Sequence, residues 1–217
     1  MPPDPRPWPT RAVARSTRAM VASPHALASA AGVDVLRRGG NAVDAAIAAN
    51  AVLTVIYPAS CGIGGDAFWM VHDPRTRSTV SYNGSGRTPR AASLDRLPNA
   101  TLPLRGALSV TVPGAVRSWE DVAHAHGRRG LDELLEPAER NAREGFAVTD
   151  VVSAYCASNE TMLRADPEAG RVFWAAAFRS RATCCAIPTS RTRWRRSAAT
   201  APARSTRARS RNASSAP

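Results

Sequence analysis

The spacing of apolar residues predicts a helix close to the start of the chain, running to about Arg38. Ser23 and Pro24 form a helix-start signal, because a hydroxyl can cap the first turn and proline needs no helical partner for its nitrogen. Gly39 and Gly40 end the helix. A short apolar run at residues 19–22 predicts a strand just before it. The apolar positions at helical spacing are Ala26, Leu27, Ala30, Val33 and Leu36.

A second helix follows with almost no linker. Asn41 is a favourable N-cap residue, and Asp44 adds negative charge near the positive end of the helix. Residues 42–56 are small and apolar on nearly every side, which is typical of a helix buried on most of its circumference. Pro58 ends the helix.

The next apolar segments predict a strand hairpin followed by more helices. The strands are residues 67–72 and 78–83, and the polar residues 73–77 form the loop between them. Three further helices are predicted: from residue 112 to about 126, from 131 to 144, and from a cap at Thr149 or Asp150 to about 163. The predicted fold class is therefore α/β (α+β), with helices around one strand hairpin.

Composition divides the 217 residues into a near-neutral domain and a basic tail. The net charge is +12, every basic residue is arginine, and all 17 acidic residues lie between Asp4 and Glu168. The last 43 residues contain ten arginines and no acid. We predict a flexible Pro/Arg-rich leader at 1–18, a folded part at 19–174 and a disordered tail at 175–217. With no signal peptide or membrane span in the sequence, we expect a cytoplasmic protein with no membrane partner.

Several kinds of site are disfavoured by residue type and spacing. Four cysteines without CxxC spacing and four scattered histidines predict no metal site, and no cofactor is expected. The glycine-rich loop 62–65 follows a helix and precedes a strand, the reverse of a dinucleotide-binding loop. Two interpretations of this loop stay open: a turn in which backbones pack closely, or a loop whose free N–H groups line an acyl-binding pocket.

Five motifs, taken in order, resemble the beginning of gamma-glutamyltransferase large subunits. They are MVASPH at 20–25, ASAAGVDVLRRGGNAVDAA at 28–46, GIGG at 62–65, VPGA at 112–115 and EGF at 144–146. The resemblance covers roughly residues 19–173. It implies a partial αββα sandwich of the N-terminal nucleophile hydrolases, in which a precursor cleaves itself to free a catalytic threonine.

The resemblance also implies what this chain lacks. The threonine lies downstream of anything present here, so no catalytic residue is expected in the chain, and it is expected to be truncated and inactive alone. Its implied partners are a gamma-glutamyl substrate such as glutathione, a missing C-terminal part and a small subunit. Helix 42–56 is then expected to lie against an incomplete sheet and to expose much of one face.

One candidate substrate-binding residue, Arg87, comes from the same resemblance. Many members hold the substrate α-carboxylate with an arginine in a DxRxxAP-like segment, and alignment on Pro89 places Ser85 at that arginine. Arg87 lies two residues later and is the candidate replacement; the alternative is a surface or scaffold arginine. Residues 83–89 and the pair Gly65 and Asp66 look more like an acylase-like branch of the family.

The arginine-rich tail has three competing explanations. It is a nucleic-acid-binding arm of a protein without enzymatic activity, a disordered linker, or the product of a shifted reading frame in a GC-rich gene. When residues 181–194 are read one base earlier, the adjacent Cys184 and Cys185 codons force a leucine. Acids, leucines and an NPDLA-type motif return in that frame, which favours the frameshift.

Overall fold

The computed structural model describes residues 13–173 and the backbone of Cys184–Cys185. The elements in chain order are α1 (Ala26–Arg37), α2 (Ala42–Ile56), β1 (Phe68–Asp73), β2 (Ser78–Asn83), α3 (Ala115–His126), α4 (Leu131–Glu144), β3 (Phe146–Ala147), α5 (Asp150–Ser158), α6 (Glu160–Ala165), α7 (Pro167–Phe173) and β4 (Cys184–Cys185). Three short 3-10 turns lie between β2 and α3. The helices and the antiparallel hairpin confirm the predicted α/β class, as a partial arrangement.

Helix α2 is the centre of the core and packs against α1, α3 and α4. Eleven of its fifteen residues are buried. The exception is a narrow stripe at every fourth position, made of Ala42, Ala46, Asn50 and Thr54. The expectation that α2 exposes much of one face is therefore wrong, because the helices around it close most of its surface.

The predicted capping of α2 is confirmed. The Asn41 side chain accepts hydrogen bonds from the backbone N–H groups of Val43 and Asp44, at 2.9 and 3.0 Å. The Asp44 carboxylate accepts one from the Asn41 N–H at 2.8 Å. These reciprocal bonds satisfy donors that have no partner inside the helix.

The start of α1 differs from the prediction in two ways. His25, not Ser23, is the N-cap, and its Nδ1 accepts a hydrogen bond from the Leu27 N–H at 3.2 Å. The Ser23 hydroxyl instead bonds the His25 carbonyl and the Ser29 hydroxyl. Residues 19–22 form no strand, because no described segment pairs with their backbone.

The hairpin matches its prediction closely. β1 and β2 pair antiparallel in a register that sets Phe68 opposite Asn83 and Asp73 opposite Ser78. On one face of β1, Trp69 and Val71 are half-buried against the core. On the other face, the side chains of Phe68 and Met70 are 72% and 80% exposed.

The last predicted helix, 150–163, is two helices in the structure. Asn159 has non-helical dihedral angles, and its backbone N–H bonds the carbonyls of Tyr155 and Cys156. It therefore ends α5 and precedes α6. Sequence periodicity missed the break because the apolar spacing continues across it.

The two predicted flexible ends lie almost wholly outside the described residues. Of the leader, residues 13–18 are described and contain no helix or strand. Of the tail at 175–217, only β4 is described. It pairs with β3 so that Cys185 lies opposite Phe146, whose side chain is buried. Disorder of the remaining tail stays a prediction.

Candidate functional site

Three loops from separate parts of the chain meet beside the first strand. The Gly65 carbonyl accepts hydrogen bonds from the N–H groups of Gly114 and Ala115, at 3.1 and 2.9 Å. The Asp66 Oδ1 accepts one from the Gly86 N–H at 2.9 Å and one from the Thr111 hydroxyl at 3.3 Å. These bonds bring together the segments at 62–66, 84–87 and 111–115, each of which carries a motif noted in the sequence.

Glycine at 84, 86 and 114 is required by close packing of these loops. A β-carbon at Gly84 would lie 2.4 Å from the Ser118 Cβ and 2.5 Å from the Ala67 carbonyl oxygen. At Gly86 it would overlap the Val112 carbonyl, and at Gly114 it would lie 2.3 Å from the Gly84 oxygen. No side chain fits in these gaps, so at these three positions the segments meet through their backbones.

In the loop 62–65, by contrast, the glycines are not closely packed. A β-carbon at Gly62 or Gly64 would have no atom within 4 Å, and at Gly65 the nearest would be 3.9 Å away. None of these three glycines has a positive φ. Close packing within the described residues therefore does not explain them, and the first interpretation of this loop fails on that point.

The backbone donors of the same loop are free within the described chain. The N–H groups of Gly62, Ile63, Gly64 and Asp66 have no hydrogen-bond acceptor among the described residues. The loop is exposed, while the Gly65 carbonyl and the Asp66 carboxylate hold its end in place. A fixed loop with unused amide donors can bind an oxygen atom of a ligand or of another chain segment.

A cleft of about 960 Å³ opens beside this loop. Its walls are the extended segment 19–24, the exposed stripe of α2, and residues 60–62 and 65–70. The surface is mostly apolar, with polar groups from Asn50, Cys61 and Asp66. A concave apolar site with few polar groups is the usual form of a binding pocket.

Two indole hydrogen bonds anchor Asn50 and Trp69 in the cleft wall, and the sequence analysis did not anticipate them. The Trp119 side chain is fully buried, and its Nε1–H donates to the Asn50 Oδ1 at 2.8 Å. The Trp69 Nε1–H donates to the Ser118 hydroxyl at 2.9 Å. An asparagine in the middle of a mostly apolar helix was the signal for the first contact, because its amide needs a hydrogen-bond partner.

Arg87 lies at the edge of this junction. Its carbonyl accepts a hydrogen bond from the Val112 N–H at 3.0 Å, and its side chain is exposed with no ion-pair partner among the described residues. Ser85 is also exposed, and its N–H donates to the Asn83 side chain. The guanidinium is thus available to a ligand, and its role in substrate binding stays a prediction.

Burial perturbs three titratable groups. Desolvation lowers the pKa of His25 and raises the pKa values of the Cys61 and Cys156 thiols above their ordinary range. Both cysteines therefore stay as neutral thiols near pH 7. Within residues 13–173, no group of three His, Cys, Asp or Glu side chains could hold a metal ion. No helix in the same part is long and apolar enough to cross a membrane.

Comparison with known proteins identifies the family. A family model for gamma-glutamyltranspeptidase matches residues 28–184. The chain belongs to the gamma-glutamyltranspeptidase family. The family match begins at residue 28, nine residues after the start of the resemblance noted in the sequence. It ends at residue 184, which is the first residue of strand β4.

Individual relatives and solved structures support this assignment. The chain is 42% identical over 159 residues to the glutathione hydrolase-like YwrD proenzyme of Bacillus subtilis, covering 72% of this chain and 30% of that protein. The gamma-glutamyltranspeptidase structure from Helicobacter pylori aligns with a TM-score of 0.73 at 25% identity, covering 80% of this chain and 51% of the other. A cephalosporin acylase from Bacillus halodurans aligns with a TM-score of 0.62 at 36% identity, covering 74% and 32%.

These matches define how much of a family member is present. The chain spans less than a third of the length of the YwrD relative. The structural neighbours are gamma-glutamyltranspeptidases and acylases of the N-terminal nucleophile hydrolase type, so the predicted fold assignment is confirmed for the part of the fold seen here. The comparisons give no support to the nucleic-acid-binding alternative.

Proposed function

We propose that this chain is the N-terminal part of the large subunit of an enzyme that transfers or hydrolyses a gamma-glutamyl or related acyl group. The observation that carries the proposal is the family match over residues 28–184. It is supported by the junction of the 62–66, 84–87 and 111–115 segments, which joins three family-like motifs. Residues of the first and third segments also line the cleft. In the complete enzyme, a freed threonine from a downstream segment would supply the nucleophile.

The chemical groups of the described residues indicate which part of the reaction this chain can support. The loop amides at 62–64 are donors for an acyl or carboxylate oxygen, and Arg87 is a cation for a substrate carboxylate. None of them is a nucleophile. We therefore propose that this chain binds and shapes part of the substrate site in the cytoplasm, while a missing C-terminal part and a small subunit complete it.

The choice between a glutathione-type and an acylase-type substrate rests on Ser85 and Asp66. The family-like arginine position carries Ser85, and the Asp66 carboxylate is engaged with the Gly86 N–H rather than with an arginine. Similarity to both glutathione hydrolase-like and acylase proteins is compatible with either substrate. We favour a gamma-glutamyl amide, with Arg87 in place of the missing arginine.

The test compares this chain with the product of a gene whose frame is restored after the codon for Trp174. The 217-residue chain should neither cleave itself nor release aniline from a gamma-glutamyl anilide. The restored product should do both, and Arg87→Ala in it should raise KM for the anilide with little change in kcat. Arg77→Ala, which removes an exposed arginine in the hairpin turn, is the matched control.

Two results would contradict the proposal. One is turnover by the 217-residue chain that is abolished by a substitution within it. The other is a restored, self-cleaved product that hydrolyses neither the gamma-glutamyl anilide nor an acyl anilide without the α-amino group. An unchanged KM in Arg87→Ala would reject the role of Arg87 alone.

A further inference from the structure

The segment between β2 and α3 contains a lobe closed by one hydrogen bond at its base. The Arg87 carbonyl and the Val112 N–H, 3.0 Å apart, mark where the chain leaves and returns. The residues between them, 88–111, are called the 88–111 lobe, and they contain three 3-10 turns but no longer helix or strand. Loops of this length are uncommon inside compact domains and are usually either functional or linker segments.

The lobe forms a cavity of about 470 Å³ that is open to solvent on one side. Every residue that lines this cavity belongs to the lobe, so no absent chain segment is needed to form it. The volume lies in the range of small-molecule sites. Its apolar wall includes Leu94, Leu102 and Leu108, whose side chains remain 71%, 63% and 48% exposed. An apolar occupant would remove that surface from water, which is favourable.

The charge around the cavity is positive and unpaired. Arg96 lines the cavity, and its guanidinium has no ion-pair partner among the described residues. The neighbouring acid, Asp95, is instead hydrogen-bonded by the Ser93 hydroxyl at 3.1 Å. Arg90 and Arg105, also in the lobe, are likewise without an ion pair in the described part of the chain, but they lie outside the cavity lining, so Arg96 is the cation placed to contact an occupant.

We propose that the 88–111 lobe binds a small amphipathic carboxylate, with its apolar body in the cavity and its carboxylate on Arg96. The unpaired arginine supplies the charge complementarity, and the leucine wall selects an aliphatic or aromatic body rather than a polar one. This site is separate from the cleft beside the loop 62–65. The proposal does not depend on acyl transfer, because binding can be measured directly.

The experiment titrates the full 217-residue chain with 4-phenylbutyrate at low salt and follows binding by calorimetry. Arg96→Gln should weaken binding about fivefold, the scale of a partly exposed charge contact. Leu94→Asn should weaken it by about the same factor, because apolar contact area in the cavity is lost. The matched controls are Arg105→Gln and Leu104→Asn, in the same lobe but outside the cavity lining, and they should bind like the unchanged chain. Since Leu94 and Leu104 are both largely exposed, neither substitution should disturb folding, which circular dichroism checks.

The uncharged analogue 4-phenylbutyramide should bind the unchanged chain about fivefold more weakly than the acid, and butyrate should not reach saturation. The proposal is overturned if 4-phenylbutyrate does not bind saturably, or if the control variants lose as much affinity as the cavity variants. Equal affinity for the acid and the amide would also overturn it, because Arg96 would then not recognise the carboxylate.

Discussion

The Asp44 carboxylate accepts a hydrogen bond from the backbone N–H of Arg128, 2.9 Å away and 84 positions later in the chain. The same carboxylate accepts from the N–H of Arg129 at 3.3 Å and caps α2 through Asn41. Its side chain is fully buried. One acid thus fixes both the start of the central helix and the turn that joins α3 to α4.

We expect Asp44→Ala to lower the free energy of unfolding by about 2–4 kcal/mol, because several buried N–H groups would lose their acceptor. Urea denaturation measures the change. Asp44→Asn keeps one acceptor oxygen and should lower the free energy of unfolding by less than Asp44→Ala does. Asp34→Ala, which removes an exposed acid paired with Arg38, is the control and should cost below about 1 kcal/mol. Equal losses in Asp44→Ala and Asp34→Ala would contradict this role.

Glycine-to-alanine substitutions should distinguish the closely packed segment 84–87 from the open loop 62–65. Gly84→Ala forces a β-carbon against Ser118 and Ala67, so we expect a loss of about 1–3 kcal/mol. Gly64→Ala meets no atom within 4 Å and should be neutral or stabilising by about 0.5 kcal/mol. Thermal unfolding of the two variants, side by side, measures the difference. A destabilising Gly64→Ala would mean that a contact outside the described residues already covers the loop.

His25 should make stability depend on pH. Burial lowers its pKa below the unfolded value of 6.5, so the unfolded chain binds the proton more readily. The stabilisation of the fold by the neutral His25 side chain is complete above pH 6.5 and is lost as the pH falls below that value. Protonation at Nδ1 would also remove the cap bond to the Leu27 N–H. We expect His25→Asn to flatten this dependence between pH 7.5 and 5.5, whereas His124→Asn, at an exposed position, should leave it intact.

Resequencing the gene around the codons for residues 174–181 should reveal a missing or extra base. The expectation rests on the codons, since the adjacent codons for Cys184 and Cys185 force a leucine in the frame one base earlier. An intact frame, confirmed in several independent reads, would instead establish the arginine-rich tail as the natural sequence.

Local signals predicted local structure well in this chain. The capping pair Asn41 and Asp44 and the hairpin turn at 73–77 needed only near neighbours to form, and both are found. The strand at 19–22 failed because a strand needs a paired backbone, and apolarity alone does not provide one. The cap at Ser23 failed because the neighbouring His25 supplied a competing acceptor.

The candidate site was less predictable for a related reason. Arg87 could be named from a resemblance, but its hydrogen bond to Val112 joins segments separated by an irregular lobe that no periodicity reveals. The bonds from Asp66 to Gly86 and Thr111 likewise join distant residues. Spacing in one sequence contains no record of such contacts, so the junction of the three loops became visible only in the fold.

The closure of the 88–111 lobe at Arg87 and Val112 has a consequence for how the family diversifies. Because the chain leaves and rejoins the core at neighbouring points, Arg87 and Val112, the lobe can change in length or composition while the helices α2, α3 and α4 keep their packing. The ligand preference of the lobe could then be changed by exchanging one contiguous segment of sequence. Grafting the lobe of an acylase relative between these two residues should therefore yield a folded chain with altered ligand selectivity.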